Sequence, residues 1–420
     1  MPERLAKLGP EQVASGINPS LPMDNDPFWI DGSGVVFREF SVQPGAGQFA
    51  ILDKLEVAPV RGLLEAEVSG RKKLIFGTLK HLYVWDESLS LPVRRTNTTQ
   101  YPSGYNGQLD STATTRATLW STATWGNYIL ATNGVDLLQY NDSTDLGSNF
   151  RNLDVDGRFT KAEIVLPLKQ FILVFNTSVA ENQIAWCALN QPEDWIPTNR
   201  NEAGSLLAKD IQGPILAARY FGEGIAFYTS SSMSVVSFIG DPFWFGERKF
   251  LSDVGVVGKG SVCSVGRLHY GLGPRGIWRT DGFQVQYIDE PAIREYVFSD
   301  INREQWDKSL VFHNVSEGLV EVHYPTKDSK FPNRCVAFST REQLWTIKNY
   351  ARTAGSSADV FRFPITGDND GNVYMQSTEG ESVSAVSSPL EMNASFEVLS
   401  LYGELGYGGG GYGGRLSGTG

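Results

Sequence analysis

The sequence predicts an all-β protein, specifically a β-propeller with an extended N-terminal arm and a glycine-rich C-terminal tail. Three observations lead there. Short apolar runs bounded by Gly, Asn, Asp and Ser come in pairs, as the strands of hairpins do. The pairs return every roughly 40–55 residues, the spacing of four-stranded propeller blades. The composition, 12% aromatic and 20% charged with 44 Gly in 420 residues, favours strands and turns over a coiled coil or a disordered chain.

Taken in order, residues 1–60 read as an arm with closing strands, because Asn18-Pro-Ser-Leu-Pro-Met-Asp-Asn-Asp-Pro27 is rich in turn formers. The first hairpin joins Leu74–Thr78 to His81–Asp86. The second joins Tyr128–Thr132 to Asp136–Asn141 through Asn-Gly. Phe171–Phe175 with Gln183–Cys187, then Gly224–Tyr228 with Ser234–Ile239, make the third and fourth. His269–Leu272, Gly276–Thr280 and Phe283–Ile288 form a fifth group, and Leu319–Tyr324, Arg334–Phe338 and Gln343–Ile347 a sixth. Val360–Phe363 and Gly371–Gln376 supply last strands in a closing segment, 351–395, before the tail at 396–420. Six blades fit between residues 61 and 350. The strands of Gly34–Leu52 and Asn372–Gln376 either complete a blade across the two termini or form a seventh. A sheet that is apolar on both faces must be covered on both, and a closed ring of blades does so while hiding its edges. A pair of β-sandwiches meets the strand content but does not call for the repeat.

Motifs of catalysis are scarce. The sequence contains no GxSxG, P-loop or HExxH, and the Asp-box of sialidases is missing from the hairpin turns. Catalytic residues and cofactors are therefore not expected. His81, His269, His313 and His323 are spaced for packing rather than metal ligation. Asp368-Asn-Asp-Gly371 has its glycine misplaced for an EF-hand and reads as a hairpin turn. Cys187, Cys263 and Cys335 are widely spaced and odd in number, so reduced buried thiols are expected. Met1–Gly16 lacks the apolar core of a secretory signal, and no run approaches the ~18 apolar residues of a membrane span, so a soluble protein made in a cytosol is expected.

Charge carries more information. The net charge of −11 argues against binding nucleic acid through a basic face. Between Arg362 and Arg415 there is no Lys or Arg, while seven carboxylates fall there. Asp368, Asp370, Glu379 and Glu381 are the candidates for an acidic surface that must not hold a polyanion; a solvated acidic face is the plainer reading. From Gly403 the tail is Gly- and Tyr-rich, and a free chain of that kind is expected to be disordered unless neighbouring chains hold it.

Three stretches together resemble a known family. They are Asn18-Pro-Ser-Leu-Pro through Trp29-Ile-Asp-Gly-Ser-Gly-Val-Val-Phe-Arg38; Ile184-Ala-Trp-Cys-Ala-Leu-Asn-Gln-Pro-Glu-Asp-Trp195 with Asp210–Ile215; and Ser237–Phe245 through Asp253–Val262 to Gly273–Phe283. In this order they resemble the tail-nozzle proteins of bacteriophages, including the packaged-DNA stabilisation proteins of short-tailed phages. The resemblance covers residues 18 to 290. It implies a β-propeller in a hexameric ring of identical subunits at the end of the portal and adaptor channel. The partners it implies are the phage adaptor and other tail proteins, with double-stranded DNA passing through without specific binding. It implies no catalytic residues, and its location is the virion tail, assembled in the host cytoplasm. Six copies would carry about −66, and an acidic wall repels DNA without blocking it, because the repulsion is screened within about 8 Å. Gating would fall to long connections such as Leu153–Arg158 or Thr198–Leu206. The alternative from another class is a carbohydrate- or receptor-binding propeller, marked by exposed aromatics at one end of the ring. A propeller of the WD-repeat sort is weakened by the missing Gly-His and Trp-Asp spacing.

Overall fold

The computed structural model describes residues 35–377, apart from the short stretches 39–40, 45–46, 53–57, 90, 113–115, 210 and 349. The expected arm before residue 35, the tail after 377, and with them Glu379 and Glu381, lie outside the described residues. Within them, seven four-stranded antiparallel sheets follow one another along the chain. Six are simple meanders: Gly62–Arg94, Ser121–Asn152, Ala162–Leu207, Ala217–Ser252, Val262–Tyr287 and Leu310–Lys348. The first strand of each sheet touches the first strands of the sheets before and after it, and the seventh returns to the first. That is a closed propeller of seven blades.

The seventh blade joins distant parts of the chain. Ala354–Ser356, Ile365–Gly367 and Val373–Ser377 are its first three strands, and Gly47–Leu52 is the fourth, with Gln48 opposite Gln376 and Ala50 opposite Tyr374. The count is thus seven rather than the favoured six, because the pieces at the two ends make a whole extra blade between the sixth and the first. One expected strand is displaced. Val360–Phe363 is not a strand; the amides of Val360 and Phe361 donate to the buried Glu65 carboxylate at 2.7 and 2.9 Å, so they are not free for a ladder, and the strand starts at Ile365. A two-residue-linked hairpin, Val35–Arg38 with Ser41–Pro44, and a short helix α1, Pro291–Phe298, stand outside the ring of sheets.

Blade-to-blade packing explains the strand sequences. Strands such as Phe171–Thr177 are buried along their whole length, as expected of sheets covered on both faces. Six junctions are filled by apolar clusters, for instance Phe76 with Val373 between blades seven and one, and Phe175 with Phe227 between three and four. Tryptophans stack on glycines of neighbouring strands. A Cβ on Gly271 would lie 2.3 Å from the Trp278 ring, so only glycine leaves room there. The junction between blades six and seven is different, and it is polar.

Candidate functional site

Two places concentrate chemistry: the ring axis at one end, and the junction between blades six and seven. Each first strand starts at the same end of the molecule, so the connections between blades and the turns between second and third strands gather there. This linker end is closed. The connection from blade one to blade two crosses it, through its described residues 106–112 and 116–118. Asp110 reaches Lys308 at 3.1 Å and Lys330 at 2.7 Å. Ser111 Oγ donates to Asp307 Oδ1 at 2.7 Å, and its backbone exchanges hydrogen bonds with the Gln305 side chain. These partners belong to the connection into blade six and to a loop of that blade, on the far side of the axis.

Other struts complete the closure. Lys259, before blade five, donates to the Leu119 carbonyl at 2.8 Å and pairs with Glu163 of blade three at 3.0 Å. Arg61, before blade one, donates to the carbonyls of Gln108, Leu109 and Thr118. Burial lowers Arg61 to about 10 despite Asp110 and Asp307, lowers Lys308 despite Asp110, and raises Asp307 despite its bond from Ser111. Hydrogen bonds from Lys330 and Lys308 hold Asp110 below its ordinary range, against desolvation. Glycine permits the close approach of connections, since a Cβ on Gly258 would sit 2.1 Å from the Asp307 carbonyl oxygen. The expected gating connections do not cross the axis: Leu153 and Val155 pack in the core between blades two and three, and Gly204–Leu207 is the outer strand of blade three.

Asp368 and Asp370 lie at the same end, in the turn between the second and third strands of blade seven. The Asp368 carboxylate is consumed by its own turn: Oδ1 accepts from the amides of Asp370 and Asn372, both 2.9 Å, and Oδ2 from Asn372 Nδ2 and Tyr374 Oη. Asp370 is exposed at the tip. The hairpin expected at Asp368–Gly371 is present, with Gly371 at φ 89°.

The polar junction went unread in the sequence. Strand Leu319–Tyr324 turns Glu321 and His323 toward blade seven, and His323 stands opposite Cys335 in the ladder. The ligand atoms of these three residues lie within 4.8 Å of one another. Around them Lys348 Nζ donates to Glu317 at 2.8 Å, Asn314 bridges Glu317 and Glu321, and Tyr350 Oη donates to Glu321 Oε1 at 2.9 Å. Arg352 lies over the rings of Tyr374 and Tyr350 and donates to Thr366 and to Gln48 of the closing strand.

The donor chemistry does not fit a metal. His323 Nδ1 accepts the Arg352 amide at 3.2 Å, so Nε2 carries the proton toward Glu321 Oε2, 3.2 Å away, and is not a free lone pair. Two cationic side chains flank the group. Burial pushes the Cys335 thiol well above its ordinary value and His323 below its own. Burial also opposes the charge on Glu321, yet His323, Lys348 and Asn314 together hold it low. The arrangement is two carboxylates against Lys348 and Arg352 with a neutral imidazole between, which balances. The other cysteines are inert in the same way, with Cys187 and Cys263 both raised to about 12 by burial. All three cysteines are free and buried. His269 is likewise structural, accepting from Tyr228 Oη at 2.6 Å and donating to the Tyr220 carbonyl at 2.9 Å.

No family model matches the sequence, and no curated protein matches it. Among solved structures the chain is similar to the crystal structure of the computationally designed Ika8 protein, at 11% identity and a TM-score of 0.44, covering 79% of this chain and 100% of that one.

Proposed function

We propose that this chain is a structural virion protein, a tail-nozzle subunit. Identical copies form a ring that extends the DNA channel, retains the packaged genome and lets it leave. The observation that carries this reading is the strutted axis. A propeller whose own centre is filled by Lys259, Asp110 and Ser111 contacts is a rigid building block, so DNA would run between copies rather than through one. The sequence resemblance supplies the ring and its position, and the charge of −11 per copy supplies a wall that does not hold a polyanion. Electron microscopy of the purified full chain tests the proposal. Closed rings with an acidic bore, and no retention of duplex DNA at physiological salt, support it. A strict monomer, or a ring with a basic bore, overturns it.

A second reading, a carbohydrate- or receptor-binding propeller, draws on a specific observation. Phe243 and Phe283 are 71% and 85% exposed. Saturable binding to a glycan array, abolished by Phe243→Ala, would favour that reading over the first.

A further inference from the structure

The end of the propeller opposite the struts carries an apolar rim on blades four and five. The last two strands of blade four, Ser232–Gly240 and Trp244–Ser252, are nine residues each and present Ile239 and Phe243 at their turn, 58% and 71% exposed. The corresponding turn of blade five, at the same end, presents Phe283, 85% exposed. The two blades are tied at this end, because a Cβ on Gly282 would lie 2.3 Å from the Phe221 ring. Tyr220, half exposed, extends the rim. Several aromatic side chains this exposed on neighbouring blades at one end mark an interaction surface.

Where the chain leaves the described body names the occupant. Ser377 ends the third strand of blade seven opposite Gly47, which places its exit at this same end of the molecule. Forty-three residues follow, and Phe396-Glu-Val-Leu-Ser-Leu-Tyr402 is their most apolar stretch. Blades seven and four are three blades apart, the largest separation a ring of seven allows. An exit on one flank and a seat on the other are the two halves of a head-to-tail contact, which closes into a ring when the rotation permits. The 18 residues between Ser377 and Phe396 span at most about 65 Å, enough to cross to a neighbour.

The geometry points to the rim of blades four and five as the seat for residues 396–402 of a second copy of this chain. The inference rests on the ring reading only in requiring that copies associate. Two full-length variants test it: Phe243→Asp/Phe283→Asp in the seat and Leu401→Asp/Tyr402→Asp in the tail. Their substitutions fall on exposed rim residues and on the segment beyond the blades. Sedimentation equilibrium should show association weakened by about tenfold or more in each, with no further loss when the two sets are combined. Hydroxyl-radical labelling of Phe243 and Phe283 should rise severalfold in the tail variant. If rings persist in both variants with unchanged labelling, the seat is overturned while the ring reading stands. A monomeric full chain with freely labelled Phe243 removes both. Protection of Phe243 that survives dilution to monomer means the tail folds back on its own chain, and a glycan that displaces no tail but protects the rim assigns it to a sugar; either result overturns the proposal.

Discussion

Lys348 lies in the junction between blades six and seven with its side chain 1% exposed, against Glu317 at 2%. Its replacement by methionine keeps the length of the side chain and removes the charge. Glu317 and Glu321 are then left with Arg352 as the remaining cation of the group. Removing one partner of a buried pair costs about 3–5 kcal/mol, because the other charge stays desolvated. With an unfolding entropy of roughly 2.1 cal/mol/K per residue over about 320 blade residues, Tm should fall by about 5–7 °C. Scanning calorimetry of Lys348→Met measures this directly. The double variant Lys348→Met/Glu317→Gln leaves no uncompensated charge and should recover most of the loss. A single variant within 1 °C of the parent would refute the buried ion pair, and a double variant less stable than the single would refute the charge balance.

Other expectations follow from the same packing. Burial lowers His269 to about 4, whereas the unfolded chain binds that proton near 6.5. The unfolded state therefore takes up more protons, and stability falls as pH drops from about 6.5 toward 4, by roughly 3 kcal/mol from this group. Urea midpoints between pH 7 and 4.5 should fall less steeply for His269→Gln, and parallel curves would count against the assignment. Gly258→Ala should cost about 1–3 kcal/mol by forcing apart the connections into blades five and six, measured by urea unfolding. No thiol of the native protein should react with Ellman's reagent within minutes at pH 8, and all three should react once unfolded; a fast native thiol would contradict the buried positions. Gln48→Leu should cost about 1–2 kcal/mol and raise hydrogen exchange selectively in Gly47–Leu52, since Arg352 loses its partner on the closing strand. Uniform exchange across the blade would show that Gln48 does not hold the strand.

Much of the ring was legible because each blade is a local meander. Leu74–Gly77 and Leu82–Trp85 pair within a few residues, as do Phe171–Thr177 and Gln183–Trp186, so turns and apolar runs suffice to find them. The seventh blade was legible in outline: Gly34–Leu52 and Asn372–Gln376 were expected to meet across the termini or make a seventh blade, and Gly47–Leu52 does pair with Val373–Ser377, but its register and its first two strands were not readable locally. The alternation of Leu319-Val-Glu-Val-His-Tyr324 misleads in another way. Polar residues at every second position ordinarily mark a face in water, yet the whole strand is buried. A propeller has no wet face on an inner strand, so the polar side had to find charges of its own. Lys348 supplies one from the fourth strand of the same blade, opposite Cys335, and Arg352 another from the connection into blade seven. Nothing local announces the role of the connection after blade one, since Asp110 and Ser111 meet Lys308 and Asp307 nearly 200 positions away.

The charged junction also sits where the chain needs most guidance. Five junctions join blades that are each a local meander, and apolar interdigitation serves them; the apolar junction with blade one and the polar one with blade six both belong to blade seven. Blade seven takes its fourth strand, Gly47–Leu52, from the other end of the chain. A strand slipped by one residue would exchange its two faces, and apolar contact alone penalises that slip weakly when both faces are covered. Hydrogen bonds are less forgiving. Arg352 touches the closing strand through Gln48, Thr366 on the second strand and Tyr374 on the third, and its backbone amide donates to His323 Nδ1 in blade six. A shifted strand would leave that guanidinium, and through it the Glu321 group, short of partners inside the protein. The network thus discriminates one register from its neighbours at the one seam that joins the two ends of the chain, and the same seam places the exit of the C-terminal segment opposite the apolar rim.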